Sequence, residues 1–284
     1  MARLSLVPIC LLLVVAATLA AGCSSAPPDG TPFVPTTGAP PVDADPSAVL
    51  AALVGDVNTT LEEMDRNVAR AAAELGATGL SGDGANASLA RLAASSPHAI
   101  DAVTITPDGR IAAAMPAEYG AVVGTRVGDQ PHVQRSLADR RPQMSGLFRA
   151  VEGGETSAIQ YPVTGGDGAF MGLVSIAFEP VMLLADRSDR TLAETTLRAW
   201  AMAPDGRVIF DSDPGRVGRN AVTDPAYAGY PEFVATARRI ASEPAGSGSY
   251  SFTPPGGAAV KQEAHWATAG LHGTAWRVVV VRAA

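Results

Sequence analysis

Residues 102–115 read AVTITPDGRIAAAM and predict two β-strands joined by a tight turn. Apolar side chains alternate with small or polar ones on both sides of the turn, as they do in strands. Pro107 presets φ and Gly109 can adopt positive φ, so the chain can reverse its direction there. A second hairpin is predicted at residues 164–168, between two further alternating runs. The stretch therefore predicts an antiparallel sheet with one exposed edge and one covered face.

A later segment of the chain partly repeats this stretch. Residues 203–208 read APDGRV and correspond to TPDGRI at 106–111, and each copy lies between two strand-like runs. A short Gly-Arg or Thr-Arg element, a helix and further strands follow each copy in the same order. This shared order of elements predicts that the folded part consists of two copies of one α+β module.

A long amphipathic helix is predicted before the first module. Asp45 can cap it and Pro46 fits its first turn, and apolar residues follow at spacings of three or four as far as Gly76. The charges on its other face are mixed, which favours packing along the domain over lying on a membrane surface. Two shorter helices are predicted at residues 87–94 and 180–192.

The composition is that of a globular protein with an acidic balance. The chain has 284 residues and a net charge of -7, and Lys261 is its only lysine. A nucleic-acid surface needs clustered Lys and Arg, so nucleic acid is not expected as a partner. The four histidines show no spacing typical of a metal site, and the sequence holds no Ser/His/acid set with a nucleophile elbow. We therefore expect no enzyme activity, no cofactor and no metal.

The N-terminal residues predict export from the cytoplasm. Residues 1–22 contain an apolar run typical of a signal peptide, and the letters LAAG before Cys23 resemble the lipobox of prokaryotic lipoproteins. This resemblance implies cleavage before Cys23 and acylation of its sulfur, so that a lipid holds the protein on the outer side of a membrane. An ordinary secretory peptide with an incidental cysteine is the alternative. Residues 23–46 are rich in Pro, Gly and Ser and predict an extended tether.

The order of short motifs resembles that of the extracytoplasmic double-Cache sensor domains. In the first module the motifs are DGRI at 108–111, GT at 124–125, PQMS at 142–145, YPV at 161–163 and DGAFMG at 167–172. In the second module they are DGRVIF at 205–210, VGRN at 217–220 and WRVVV at 276–280. The resemblance covers roughly residues 46–282. It implies an α+β fold in which a long N-terminal helix lies along two PAS-like antiparallel-sheet modules.

The resemblance also divides the chain into parts. We expect N-terminal helices at 47–97, a first Cache module at 98–180, a connecting helix at 181–194 and a second Cache module at 195–284. Members of the family commonly pass their signal through a C-terminal membrane helix, whereas this sequence reaches Ala284 with no second apolar span. We therefore expect it to act with a separate membrane receptor, kinase or transporter.

The resemblance implies that the first module binds a small extracellular ligand beneath a covering loop and helix. An amino acid, a carboxylate or a similar metabolite is the expected class. Members that bind amino acids carry Arg-x-Trp-Tyr at the start of the covering helix, whereas residues 130–133 read QPHV here. The guanidinium that would pair with a ligand carboxylate is missing at that place, and Arg126 or Arg135 could replace it.

Nine residues of the first module are therefore the candidate ligand contacts: Arg126, Asp129, Gln130, His132, Arg135, Ser145, Phe148, Gln160 and Tyr161. Asp129 is also expected to cap the covering helix. Gln160 and Tyr161 alternate on one strand, so one of them should face the pocket and the other should face away. A buried hydroxyl with a protein partner is an equal alternative for Tyr161, as is a solvated surface position for His132.

Three functions remain open at this point. The first is a lipid-anchored extracytoplasmic sensor that presents its bound state to a membrane partner. The second is an envelope interaction protein whose pockets are filled by its own side chains. The third, a hydrolase, lacks a recognisable catalytic set in the sequence.

Overall fold

The computed structural model describes residues 43–149, 155–252 and 259–283. The predicted signal peptide, Cys23 and most of the 23–46 tether lie outside the described residues. Among the residues that are described, no helix combines the length and the apolar character needed to cross a membrane.

The described residues form five α-helices and eleven β-strands. The helices are α1 Pro46–Thr78, α2 Asp83–Ala93, α3 Pro131–Asp139, α4 Pro180–Leu192 and α5 Pro231–Ser242. The strands of the first half are β1 Ala99–Ile105, β2 Ile111–Met115, β3 Gln143–Met144, β4 Phe148–Arg149, β5 Glu155–Thr164 and β6 Phe170–Phe178. Those of the second half are β7 Arg198–Met202, β8 Val208–Asp211, β9 Gly246–Phe252, β10 Val260–Leu271 and β11 Thr274–Ala283.

The strands form two antiparallel sheets with matching topology. The first sheet has the order β2-β1-β6-β5-β3, with β4 also paired to β5, and the second has the order β8-β7-β11-β10-β9. An isolated bridge follows the repeated turn in each module, between Arg110 and Arg126 and between Arg207 and Asn220. The predicted fold class, a long N-terminal helix with two antiparallel-sheet modules, is confirmed.

Helix α1 is shared by both modules. Asp45 caps it, as predicted, by accepting a hydrogen bond of 3.1 Å from the main-chain N–H of Ser47. The apolar stripe of α1 is buried from Leu50 to Leu75 and lies in one core cluster with side chains from both sheets. Because one stripe is buried against two sheets, the two modules have a common core.

A small polar junction on α1 also joins the modules. The Asp65 carboxylate accepts a hydrogen bond of 2.9 Å from the Tyr161 hydroxyl in β5 and lies 2.7 Å from Nε2 of His272 in the β10–β11 turn. Next to it, the Thr274 hydroxyl donates to the main-chain carbonyl of Met144 in β3 at 2.5 Å. The β10–β11 turn of the second module therefore contacts the first module directly.

Two local expectations are wrong. The first sheet does not have a single covered face, because β6 is buried at every position from Gly172 to Phe178. Helix α2 begins at Asp83 and not at residue 87. Its first turn contains an Asp-Gly pair of low helix propensity, but Ala85 in the same turn is fully buried in the core cluster with α1. Burial therefore outweighs local propensity at this end.

Candidate ligand-binding site

A cavity of about 50 Å³ lies on the face of the first sheet that points away from α1. Helix α3 and the residues before it cover this face, with Val127 and Val133 packed against Ile105. The strand residues divide between the two faces with the expected period of two. The lining consists of Asp101, Val103, Ile105, Ile111, Val127, Gln130, His132, Val133, Phe148, Ala158, Gln160, Ser175 and Ala177.

Three strongly buried polar side chains make this cavity chemically distinctive. Asp101 of β1, Gln160 of β5 and Ser175 of β6 line it, and their exposures are 4 %, 2 % and 4 %. The Gln160 side-chain carbonyl accepts a hydrogen bond of 2.6 Å from the hydroxyl of Ser136 in α3. This hydrogen bond links the covering helix to the sheet at the cavity. The Asp101 carboxylate, the Gln160 amide and the Ser175 hydroxyl therefore line one cavity and are largely shielded from solvent.

A second hollow of about 180 Å³ adjoins the cavity. His132, Phe148 and Gln160 line both spaces, whereas Arg135 and Ser145 line only the hollow. The rings of His132 and Phe148 are stacked with their centroids 3.9 Å apart. These two rings therefore lie between the cavity and the hollow.

The His132 imidazole is neutral in this position. Burial and, to a smaller extent, the positive charge of Arg135 together lower its pKa to about 4. A neutral imidazole can donate through one ring nitrogen and accept through the other. His132 can therefore serve both as an apolar stacking partner of Phe148 and as a hydrogen-bonding group toward a ligand.

The candidate residues divide into three groups. The cavity is lined by four of them, Gln130, His132, Phe148 and Gln160, and Arg135 and Ser145 lie on the adjoining hollow. Arg126, Asp129 and Tyr161 line neither space. The Arg126 Nε lies 3.3 Å from an Asp129 carboxylate oxygen, and both side chains are exposed. Arg126 is therefore paired with Asp129 outside the cavity and the hollow.

The expected capping role of Asp129 is wrong. Helix α3 starts at Pro131 with Gln130 as its N-cap residue, and no side chain caps it. Pro131 has a preset φ and no N–H to satisfy, so this start needs less help from a cap. The Asp129 carboxylate pairs with Arg126 instead.

Gln160 and Tyr161 face opposite sides of the first sheet, as the alternation requires. Gln160 is on the cavity side, whereas Tyr161 packs beside α1 and donates its hydroxyl proton to Asp65. Burial and this carboxylate raise the pKa of Tyr161 above its ordinary value, so the hydroxyl stays protonated. Tyr161 is thus a partly buried tyrosine whose hydroxyl has a protein partner.

The sequence reasoning missed Asp101, Ser136 and Ser175. A signal for Asp101 was present, because it precedes Val103 and Ile105 on a strand face that is otherwise apolar. Ser175 stands in the same way between apolar residues of β6. An isolated polar residue inside a buried strand needs a partner or a ligand, so both positions could have been nominated.

Comparisons with known proteins bear on the family and the fold. Residues 59–180 match the family model described as HK/GC/Chemotaxis protein-like, sensor domain. The search of curated proteins found no match.

Three solved structures are similar to the chain as a whole. An extracellular ligand binding receptor from Desulfohalobium retbaense has a TM-score of 0.71 and 28% identity over 83% of this chain, which spans 40% of that receptor chain. The ligand-binding domain of the Pseudomonas fluorescens chemoreceptor CtaA, in complex with L-serine, has a TM-score of 0.61 and 13% identity, covering 84% and 95% of the two chains. The ligand-binding domain of the Pseudomonas aeruginosa amino acid chemoreceptor PctC, in complex with GABA, has a TM-score of 0.59 and 17% identity, covering 83% and 96%. Residues 59–180 are therefore similar to sensor domains of the HK/GC/chemotaxis-protein type, and the chain has the double-Cache fold seen in the ligand-binding domain of CtaA.

Proposed function

We propose that this protein is an extracytoplasmic sensor that binds a small polar metabolite in the cavity of its first module. The observation that carries the proposal is the set of buried polar groups around Asp101, enclosed between the sheet and α3. Similar folds in CtaA and PctC were solved with L-serine and GABA. We propose sensing without catalysis.

The charges around the two spaces suggest which end of a ligand would lie where. The cavity has the Asp101 carboxylate in its lining and, among its described lining residues, neither Arg nor Lys. The adjoining hollow has the Arg135 guanidinium. A molecule with an amine or hydroxyl donor at one end could place it beside Asp101 in the cavity. An anionic group at its other end would then lie beside Arg135 in the hollow. Arg135 thus remains the candidate for the guanidinium that the 130–133 segment lacks.

The size of the cavity implies that a ligand must separate the two stacked rings. A space of about 50 Å³ accommodates only a few water-sized groups, since one water needs roughly 10–15 Å³. A ligand of amino-acid size would therefore have to part His132 from Phe148 and join the cavity to the hollow. The same small volume favours the second candidate function, an interaction protein with a filled first pocket.

Asp101→Asn tests the proposed site. We expect L-serine, GABA or ethanolamine to raise the melting temperature of the wild-type protein and to give a measurable Kd by titration calorimetry. The Asn variant should bind the same compound at least tenfold more weakly, because it removes the charge that would pair with the amine.

Asp129→Asn is the matched control, because it removes an exposed carboxylate outside the cavity and should leave the affinity unchanged. Absence of binding by all three compounds would favour the filled-pocket protein. Equal losses of affinity in both variants would also contradict the proposed site.

We propose further that lipid on Cys23 anchors the protein and that a separate membrane receptor, kinase or transporter receives its signal. The support is the lipobox-like sequence at residues 19–23 and the tether that follows it. In a bacterial host, the wild-type protein should partition into the detergent phase of Triton X-114 and should incorporate labelled palmitate. Cys23→Ser should abolish both, because the acylated thiol is lost. Retention of label in the variant would refute the anchor.

A further inference from the structure

A cavity of about 560 Å³ in the second module lies on the face of the second sheet that points away from α1. This volume is within the range of about 300–1,000 Å³ that is typical of small-molecule sites. Its apolar lining comes from β7, β9, β10, β11 and α5, through Trp200, Phe233, Tyr250, Phe252, Val260 and Val281. The sequence reasoning left this module without an assigned role.

The aromatic walls of this cavity are held by mutual packing. The Phe233 ring lies 6.1 Å from that of Trp200 and 5.3 Å from that of Tyr250, measured between centroids. All three side chains are at least nine-tenths buried. Burial raises the pKa of Tyr250 to about 12, so its hydroxyl remains a proton donor. Rigid aromatic surfaces of this kind fit the flat or apolar body of a small molecule.

Most of the charge at the mouth of the cavity is already compensated. The Arg216 guanidinium lies 3.6 Å from Asp211, 3.3 Å from Asp213 and 4.8 Å above the centroid of the Phe252 ring. Asp213 also accepts a hydrogen bond from the main-chain N–H of Gly215. Asp211 and Asp213 therefore share the guanidinium of Arg216, and a cationic ligand would have to compete with Arg216 for these two carboxylates.

Arg198 differs from the other charged residues of the cavity in its lack of an ion-pair partner within the described part of the chain. It begins β7 and lines the cavity, and it forms no ion pair with any residue in the described ranges 43–149, 155–252 and 259–283. The described lining holds two arginines and two aspartates, and Arg198 is the member of this set that lacks an oppositely charged partner. A carboxylate is the natural partner of a guanidinium, because two parallel hydrogen bonds can form.

We propose that the second module has a binding site of its own, for a carboxylate that carries an aromatic or apolar group. The carboxylate pairs with Arg198 at the mouth, and the apolar body lies against Trp200, Phe233 and Tyr250. The site lies on the second sheet and is independent of the first-module cavity.

Compounds of one shape and different charge test this proposal on the purified full-length protein. Phenylacetate should raise the melting temperature and bind in titration calorimetry, whereas phenylacetamide should bind at least tenfold more weakly and phenethylamine should not bind. Benzoate, 3-phenylpropionate and octanoate are further carboxylates of different size that should be tested in the same way. The proposal would be overturned if none of the four carboxylates binds, or if phenethylamine binds as tightly as phenylacetate.

Three variants locate the bound carboxylate. Arg198→Gln should weaken the binding of phenylacetate at least tenfold, and the exposure of this side chain keeps the fold intact. Arg238→Gln, which removes an exposed guanidinium on α5 of the same module, should have no effect. Asp101→Asn should also have no effect, which separates this site from the first-module cavity. If Arg198→Gln and Arg238→Gln reduce the affinity for phenylacetate equally, the carboxylate does not pair specifically with Arg198 and the proposed site is refuted.

Discussion

Gly172→Ala should strongly destabilise the protein, although it adds only one methyl group to the first sheet. A Cβ at this position in β6 would lie only 2.2 Å from the main-chain carbonyl oxygen of Ile105 in β1 and 2.8 Å from a side-chain carbon of Leu80. Gly172 also has φ +145, which an L side chain rarely adopts. The two strands would have to separate at a point where Ile105 lines the cavity. We expect a loss of about 1–3 kcal/mol or more in the free energy of unfolding.

Gly166→Ala is the matched control for this change. Gly166 lies in the turn between β5 and β6, and an added Cβ would meet nothing within 4 Å. Its free energy of unfolding, measured by urea denaturation, should differ from that of the wild type by less than about 0.5 kcal/mol. If the Gly172→Ala protein does not accumulate in soluble form while the Gly166→Ala protein does, the expectation is met. Wild-type stability for both variants would show that β1 and β6 do not approach each other as described.

Acidification should destabilise the protein through His132. In the unfolded chain a histidine binds a proton near pH 6.5, whereas in the folded chain burial lowers the pKa of His132 to about 4. Between these values the unfolded state binds more protons, so the free energy of unfolding falls as the pH falls. From about pH 7.5 to about pH 5, the loss from this residue alone should be roughly 2 kcal/mol.

The comparison of wild type with His132→Gln isolates this contribution. Burial lowers the pKa of His98 as well, so His98 acts in the same direction, but it is present in both proteins. Urea denaturation at the two pH values should therefore show a loss that is roughly 2 kcal/mol smaller in the variant. Any effect of the substitution at neutral pH cancels, because only the change with pH is compared. Equal pH dependence in the two proteins would contradict a buried neutral imidazole at this position.

The architecture could be predicted because it depends on local patterns. The alternation around the turn at Pro107 and Gly109, and its repeat at residues 203–208, correspond to two sheets of matching strand order. The spacing of apolar residues from Leu50 to Leu75 corresponds to the buried stripe of α1. The start of α2 could not be predicted from local propensity, because the burial of Ala85 against α1 decides it.

The sites were predicted less completely. Residues on the covering helix, such as Gln130 and His132, were nominated from their place in the chain and do line the first cavity. Asp101 was missed because its place opposite α3 depends on the pairing of β1 with β6, which joins residues far apart in sequence. The pairing of Arg126 with Asp129 outside the two spaces could not be predicted, because it depends on side-chain geometry.

The sequence by itself determined the two-module α+β fold, the long helix and the acidic character of the chain, because each follows from periodicity, turn chemistry or composition. Only the tertiary structure decided which face Gln160 and Tyr161 take, that the two stacked rings narrow the first cavity, and that the wider cavity belongs to the second module. The physical reason is that the sequence of a strand specifies which side chains share a face of the sheet, but not which face packs against α1 and which against α3. The volume left between a sheet and its cover depends on side chains brought together from distant segments.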